Sequence, residues 1–176
     1  MKKAFLLVLS AAIILLSACN PDTGAESGSA AVDPDTAVHG AAGEFGISGG
    51  KYYSSASSTP GGYLDEDLLL SLYGDMGEVP DMEAVTAYCV YIDDADPTAP
   101  AEFGVFLLKD GADAEEFASF IKARINAMIE NAVNYPSINT EGLTTAVFEV
   151  TDECIYYTAV IGHNADIAAY FEENVK

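Results

Sequence analysis

Breaking or transferring a covalent bond takes a nucleophile, a base or a bound metal, and this chain offers few of each. Its cysteines are Cys19, Cys89 and Cys154, and its histidines are His39 and His163. A thiol nucleophile needs a base beside it, which would pair Cys154 or Cys89 with His163. Cys154 opens an apolar run, however, and no local pattern of a thiol hydrolase surrounds it. Zinc takes three or four Cys/His ligands at characteristic spacing, and Cys89, Cys154 and His163 are too scattered to supply it. Calcium prefers carboxylate oxygens, and Asp93, Asp94 and Asp96 crowd one turn. That trio is the candidate metal site, although Pro97 stiffens the turn and no Asp-x-Asp-x-Asp-Gly loop is present. Aspartates in turns more commonly cap them.

Other chemistry is thinner still. Adjacent acids such as Glu115-Glu116 and Glu172-Glu173 carry no information about paired-carboxylate catalysis in a chain this rich in acid. No glycine-rich phosphate loop is present. No catalytic residue is therefore assigned, and no cofactor is expected. Two bases stand out, Lys122 and Arg124. Arg124 is expected to reach Glu102 on a neighbouring strand as a structural ion pair, because a partly buried guanidinium is normally paired. Cys89 and Cys154 both sit in or beside apolar runs, which favours two buried thiols; an exported setting would also permit a disulfide between them.

The positioning elements begin with an address. Lys2 and Lys3 precede an apolar run over 4–16, too short for the roughly 20 residues that span a bilayer and flanked like an export signal. Leu16-Ser17-Ala18-Cys19 closes it and resembles the bacterial lipobox. That resemblance implies a diacylglycerol on Cys19, cleavage just before it, and a lipid-anchored protein on the outer side of the cell membrane. Loss of Lys2 and Lys3 with a signal over 1–18 takes the formal charge from −21 to −23. So acidic a surface repels nucleic acids and anionic headgroups and suits a basic partner or solubility.

Residues 19–62 are rich in Gly, Ser, Ala, Thr and Pro and show no apolar period, so they read as a flexible, lipidated tether. A single domain is expected over 63–176. Asp65-Glu66-Asp67 starts a short helix over 65–73, and 84–92 and 102–109 read as two strands of a hairpin. Asp113 and Glu116 open the longest helix. Its Phe117, Ile121, Ile125, Met128 and Ala132 fall on one face. Strands are expected over 143–151 and 154–161, with a last helix capped by Asn164. The order α-β-β-α-β-β-α predicts an α+β domain, an antiparallel four-stranded sheet with helices packed on one face. Tyr88, Tyr91, Tyr156 and Tyr157 lie on strands, as packed rings or as an aromatic recognition surface.

Leu69-Leu70-Ser71-Leu72-Tyr73-Gly74, Ala101-Glu102-Phe103-Gly104-Val105-Phe106, Lys122-Ala123-Arg124-Ile125 and Asn134-Tyr135-Pro136 follow the lipobox in order. Over about 64–172 they resemble a family of small lipoproteins of clostridia-like Gram-positive bacteria, catalogued as a domain of unknown function. The resemblance implies the lipoprotein address and an α+β fold, and brings no activity with it. The expected role is a non-catalytic, lipid-anchored domain that binds an envelope protein or component. An envelope hydrolase, a thiol enzyme and a calcium-dependent module are the alternatives.

Overall fold

Phe117, Ile121 and Ile125 form the buried stripe of a helix over Ala114–Ala132, as their spacing predicts, with the Asp113 side chain accepting from the Glu116 backbone N–H at its start. This helix packs on one side of a central antiparallel sheet. The computed structural model describes residues 33–74, 77–93 and 95–175. The signal over 1–18, Cys19 and Asp94 lie outside the described residues.

In chain order the elements are α1 (Pro34–Glu44), β1 (Lys51–Ser54), α2 (Glu66–Tyr73), a 3-10 turn (Met82–Ala84), β2 (Val85–Asp93), β3 (Ala101–Leu108), α3 (Ala114–Ala132), α4 (Glu141–Thr144), β4 (Val147–Val150), β5 (Cys154–Ala159) and α5 (Asn164–Val175). The sheet order is β1-β2-β3-β5-β4, antiparallel throughout. The α+β class and the order α-β-β-α-β-β-α hold from α2 onward, with the one-turn α4 added before β4.

Three expectations change. The sheet has five strands rather than four, because the stretch read as a tether over 19–62 contributes α1 and β1. Its buried face is built of small residues, Ala37, Val38, Ala41 and Ala42, so its composition resembles a linker while its geometry permits close packing. Asp33 accepts from Thr36 N–H and Pro34 occupies the first helical position, the usual chemistry of a helix start.

Secondly, helices cover both faces. Pleat alternation sends Cys89, Tyr91, Phe103, Val105 and Tyr156 toward α1 and α5, and Tyr88, Val90, Ile92, Phe106, Ile155 and Tyr157 toward α2 and α3. β2 is buried without interruption from Tyr88 to Ile92, as expected of a strand with no solvated face.

Thirdly, the strand expected over 143–151 shortens to β4, because α4 takes its first residues. Thr144 and Thr145 hydroxyls donate back to helix carbonyls there, and Gly142 lies so close to Val160 and Ile161 that a Cβ would meet their backbone.

Candidate functional site

Among the described residues, polar chemistry gathers in a buried knot on the α2/α3 face and in an open acidic groove at the start of α3. The knot centres on Glu102, 1 % exposed near the start of β3. Arg124, on the third turn of α3, lays its guanidinium against that carboxylate. Nε donates to Oε2 at 2.7 Å, and Nη2 lies against the same oxygen, also at 2.7 Å. Tyr157 of β5 donates its hydroxyl to Oε1 at 2.7 Å. Having spent its one proton there, Tyr157 accepts from Tyr73 of α2 at 3.1 Å. Arg124 Nη1 also donates to the Leu72 carbonyl at 3.4 Å, and its guanidinium sits 5.7 Å from the centre of the Tyr73 ring.

Burial, then the negative charge of Glu102, pushes the Tyr73 and Tyr157 hydroxyls well above their ordinary value of 10.0. Burial alone would pull Arg124 down, but the Glu102 charge and hydrogen bonds outweigh it and hold the guanidinium protonated. Every group in the knot is matched. It ties α2, α3, β3 and β5 together and leaves no hydroxyl or base poised for a substrate.

The groove has a different character. Gly77–Val79, Asp81 and Ala84 form one wall, and Gly111–Asp113, Glu116, Phe117 and Phe120 the other, around about 700 Å³. Among the described residues, Glu78, Asp81, Asp113 and Glu116 bring four carboxylates to it and no base lines it. Asp81 and Asp113 each spend one oxygen capping a backbone N–H at 2.9 Å, whereas Phe120 supplies an apolar, half-buried floor. A shallower recess over Gly111–Glu115 and Val150–Asp152 continues it. Such a lining attracts cations and offers no nucleophile.

The residues singled out from sequence separate cleanly. Glu102 and Arg124 are brought together. Cys89 and Cys154 are both free thiols, on β2 and β5 with β3 between them. Two strand spacings of about 4.8 Å place them beyond the ~7 Å over which a disulfide can bridge Cα atoms. Burial pushes the Cys154 thiol up to about 11, which leaves it protonated and a poor nucleophile at neutral pH. Cys154 opens β5 whereas His163 follows its far end, so the strand alone, at ~3.3 Å per residue, holds that pair well over bonding distance.

His163 carries the buried Nδ1 without a hydrogen-bond partner among the described residues, with its ring 5.7 Å from Phe45. Asp93 Oδ1 accepts from Ala95 N–H, and Asp96 Oδ1 from both Thr98 N–H and the Thr98 hydroxyl. Those Thr98 bonds hold the Asp96 carboxyl below the usual range. Both carboxylates thus shape their turn. Tyr88, Tyr91, Tyr156 and Tyr157 are all buried, so these four rings are packed and present no open aromatic face.

Sequence reasoning passed over Asp35 and His39, assigned to the tether, although they stand beside Cys89. Their four-residue spacing on a helix was the one available signal. No helix among the described residues is long and apolar enough to cross a membrane. Comparison with protein-family models, curated proteins and solved structures finds no match.

Proposed function

We propose that the chain is a lipid-anchored domain that binds, without catalysis, a basic segment of a partner protein on the outer side of the cell membrane. The observation that carries this reading is the groove, with Glu78, Asp81, Asp113 and Glu116 around the Phe120 ring. Charge steers a cationic segment toward it, and the ring covers the alkyl stem of a lysine or arginine once seated. The formal charge, −21 for the whole chain and −23 without residues 1–18, extends the attraction over the whole surface and disfavours nucleic acid as the partner.

The address rests on Leu16-Ser17-Ala18-Cys19. With α1 starting at Pro34, the intervening chain reaches at most about 50 Å at ~3.3–3.6 Å per residue. The groove then works close to the lipid surface, on partners that are themselves membrane-bound or wall-associated. Cys19→Ser is expected to release the protein from the membrane fraction; its retention there would remove lipidation.

Groove binding is tested by titrating a lysine- and arginine-rich peptide into the protein at low and moderate salt. Binding is expected to weaken with salt and to fall at least tenfold in Glu78→Lys/Glu116→Lys. The matched reversal Glu130→Lys/Glu149→Lys, on exposed positions away from the groove, is expected to do much less. Equal losses in the two variants would assign the effect to net charge and defeat the groove.

A further inference from the structure

Beneath α1, one cluster lies apart from both the knot and the groove. Asp35 and His39 are four residues apart on that helix and so share a face. Cys89 rises toward them from β2, fully buried. A carboxylate oxygen of Asp35, a ring nitrogen of His39 and the Cys89 sulfur all lie within 4.8 Å of one another. Ligands held at 2.0–2.3 Å around a tetrahedral zinc ion are separated by about 3.3–3.8 Å, so closure takes side-chain shifts of about an ångström.

Asp35 and His39 are both held in place by further contacts. Ser54, paired with Cys89 across the β1–β2 ladder, donates its hydroxyl to Asp35 Oδ2 at 2.6 Å. His39 donates from Nδ1 to the Asp35 carbonyl at 2.9 Å, and its ring stacks on Tyr52 with centroids 3.9 Å apart and planes 11° off parallel. Outer contacts of this kind orient the ligands of metal sites. Burial first, and then the negative charges of Asp35 and Asp33, make ionisation of the Cys89 thiol unfavourable. A divalent cation reverses that balance, since a coordinated thiol is deprotonated.

We propose that Asp35, His39 and Cys89 form a three-ligand site for a divalent transition-metal ion of the zinc class. The mixed O, N and S set suits borderline-soft ions over calcium or magnesium. On binding, the metal–sulfur bond forms as the thiol proton leaves to solvent, with no change of oxidation state. The fourth position goes to water or an external ligand on the side where His39 is exposed. The ion then clamps α1 onto β2.

The test is cobalt titration of the reduced full chain, first unaltered and then with Cys19→Ser and Cys154→Ser, so that Cys89 is the remaining thiol. One equivalent is expected to bind with a thiolate-to-cobalt charge-transfer band, and zinc to displace it. Cys89→Ser is expected to abolish the band. Ser54→Ala should weaken binding by about 10–100-fold, the usual loss for an outer contact, and His39→Ala by at least as much. Because His39 is exposed, that variant decides the matter even if Cys89→Ser fails to fold. Absence of the band in the Cys19→Ser/Cys154→Ser chain, its survival in Cys89→Ser, or unchanged affinity in His39→Ala would overturn the site.

Discussion

The two faces of the sheet solve burial in opposite ways. Toward α2 and α3 the apolar cluster encloses a charged pair: Tyr157 and Arg124 reach Glu102 directly, and Tyr73 of a third element reaches it through the Tyr157 hydroxyl. Toward α1 and α5 the buried layer holds no charge: Val38, Phe103, Ile167 and Phe171 are essentially inaccessible, and its buried polar side chains, Ser54, Thr158 and Asn164, are neutral. Asp35 and His39, at the edge of this face, retain contact with water. A buried charge is tolerable where several elements converge on it with matched donors. A helix of small residues has no long side chains to send inward, and it gains stability from close approach instead. The contrast separates the faces: the α2/α3 side encloses its charges among several elements, whereas the α1/α5 side keeps its ionisable Asp35 and His39 in contact with water above a buried Cys89.

The most drastic way to break this comparison removes one face. A chain beginning at Tyr63 lacks α1 and β1 and bares Cys89, Tyr91, Phe103 and Val105. It is expected to lose the cooperative thermal transition and to bind a hydrophobic dye; a sharp transition near that of the whole chain would mean that α1 is dispensable.

Next in size is Arg124→Met, which strands the Glu102 carboxylate and is expected to cost about 3–5 kcal/mol in denaturant unfolding. Glu102→Leu/Arg124→Met removes both charges and should recover most of that loss. A double variant as unstable as the single would mean that the knot contributes more than the matching of two charges.

The gentlest probe is pH. The Cys154 thiol titrates near 9.0 when unfolded and about 11 when folded. Between those values the unfolded chain has released a proton that the folded chain keeps, so stability is full below pH 9 and declines as pH rises toward 11. Tyr73 and Tyr157, raised on the opposite face, act in the same direction at higher pH. At pH 9, alkylation of Cys154 should run roughly fifty-fold slower in the native protein than in denaturant, because the thiolate is the reactive form. Equal rates would place Cys154 at an open, unperturbed edge.

How much of this was legible depended on whether a signal was local. The stripe of α3, its cap at Asp113 and the acidic start of α2 were readable because their determinants lie within a few residues. Arg124 and Glu102 were readable as a pair because a base on a largely apolar helix face must find an acid. The tyrosines that complete their knot come from α2 and β5, and no spacing connects them. The continuous apolar runs of β2, β3 and β5 carried the sign of two covered faces, and only alternation would have supported one. For α1 the Asp33-Pro34 start was present, but glycine and alanine hid a face whose partners, Cys89 and Phe103, are far along the chain. The Asp35, His39 and Cys89 cluster inherits that difficulty.

Val38 and Ala41 of α1 share one packed cluster with Ile167, Phe171 and Val175 of α5, and the two helices touch directly. During synthesis, at about 5–20 residues per second, α1 therefore emerges well before the surface it must cover exists. Its closing contact spans nearly the entire described chain, the kind of distant pairing that slows folding. Until α5 has left the ribosome, α1 has only part of its final seat, and that face of the nascent sheet stays open to other chains.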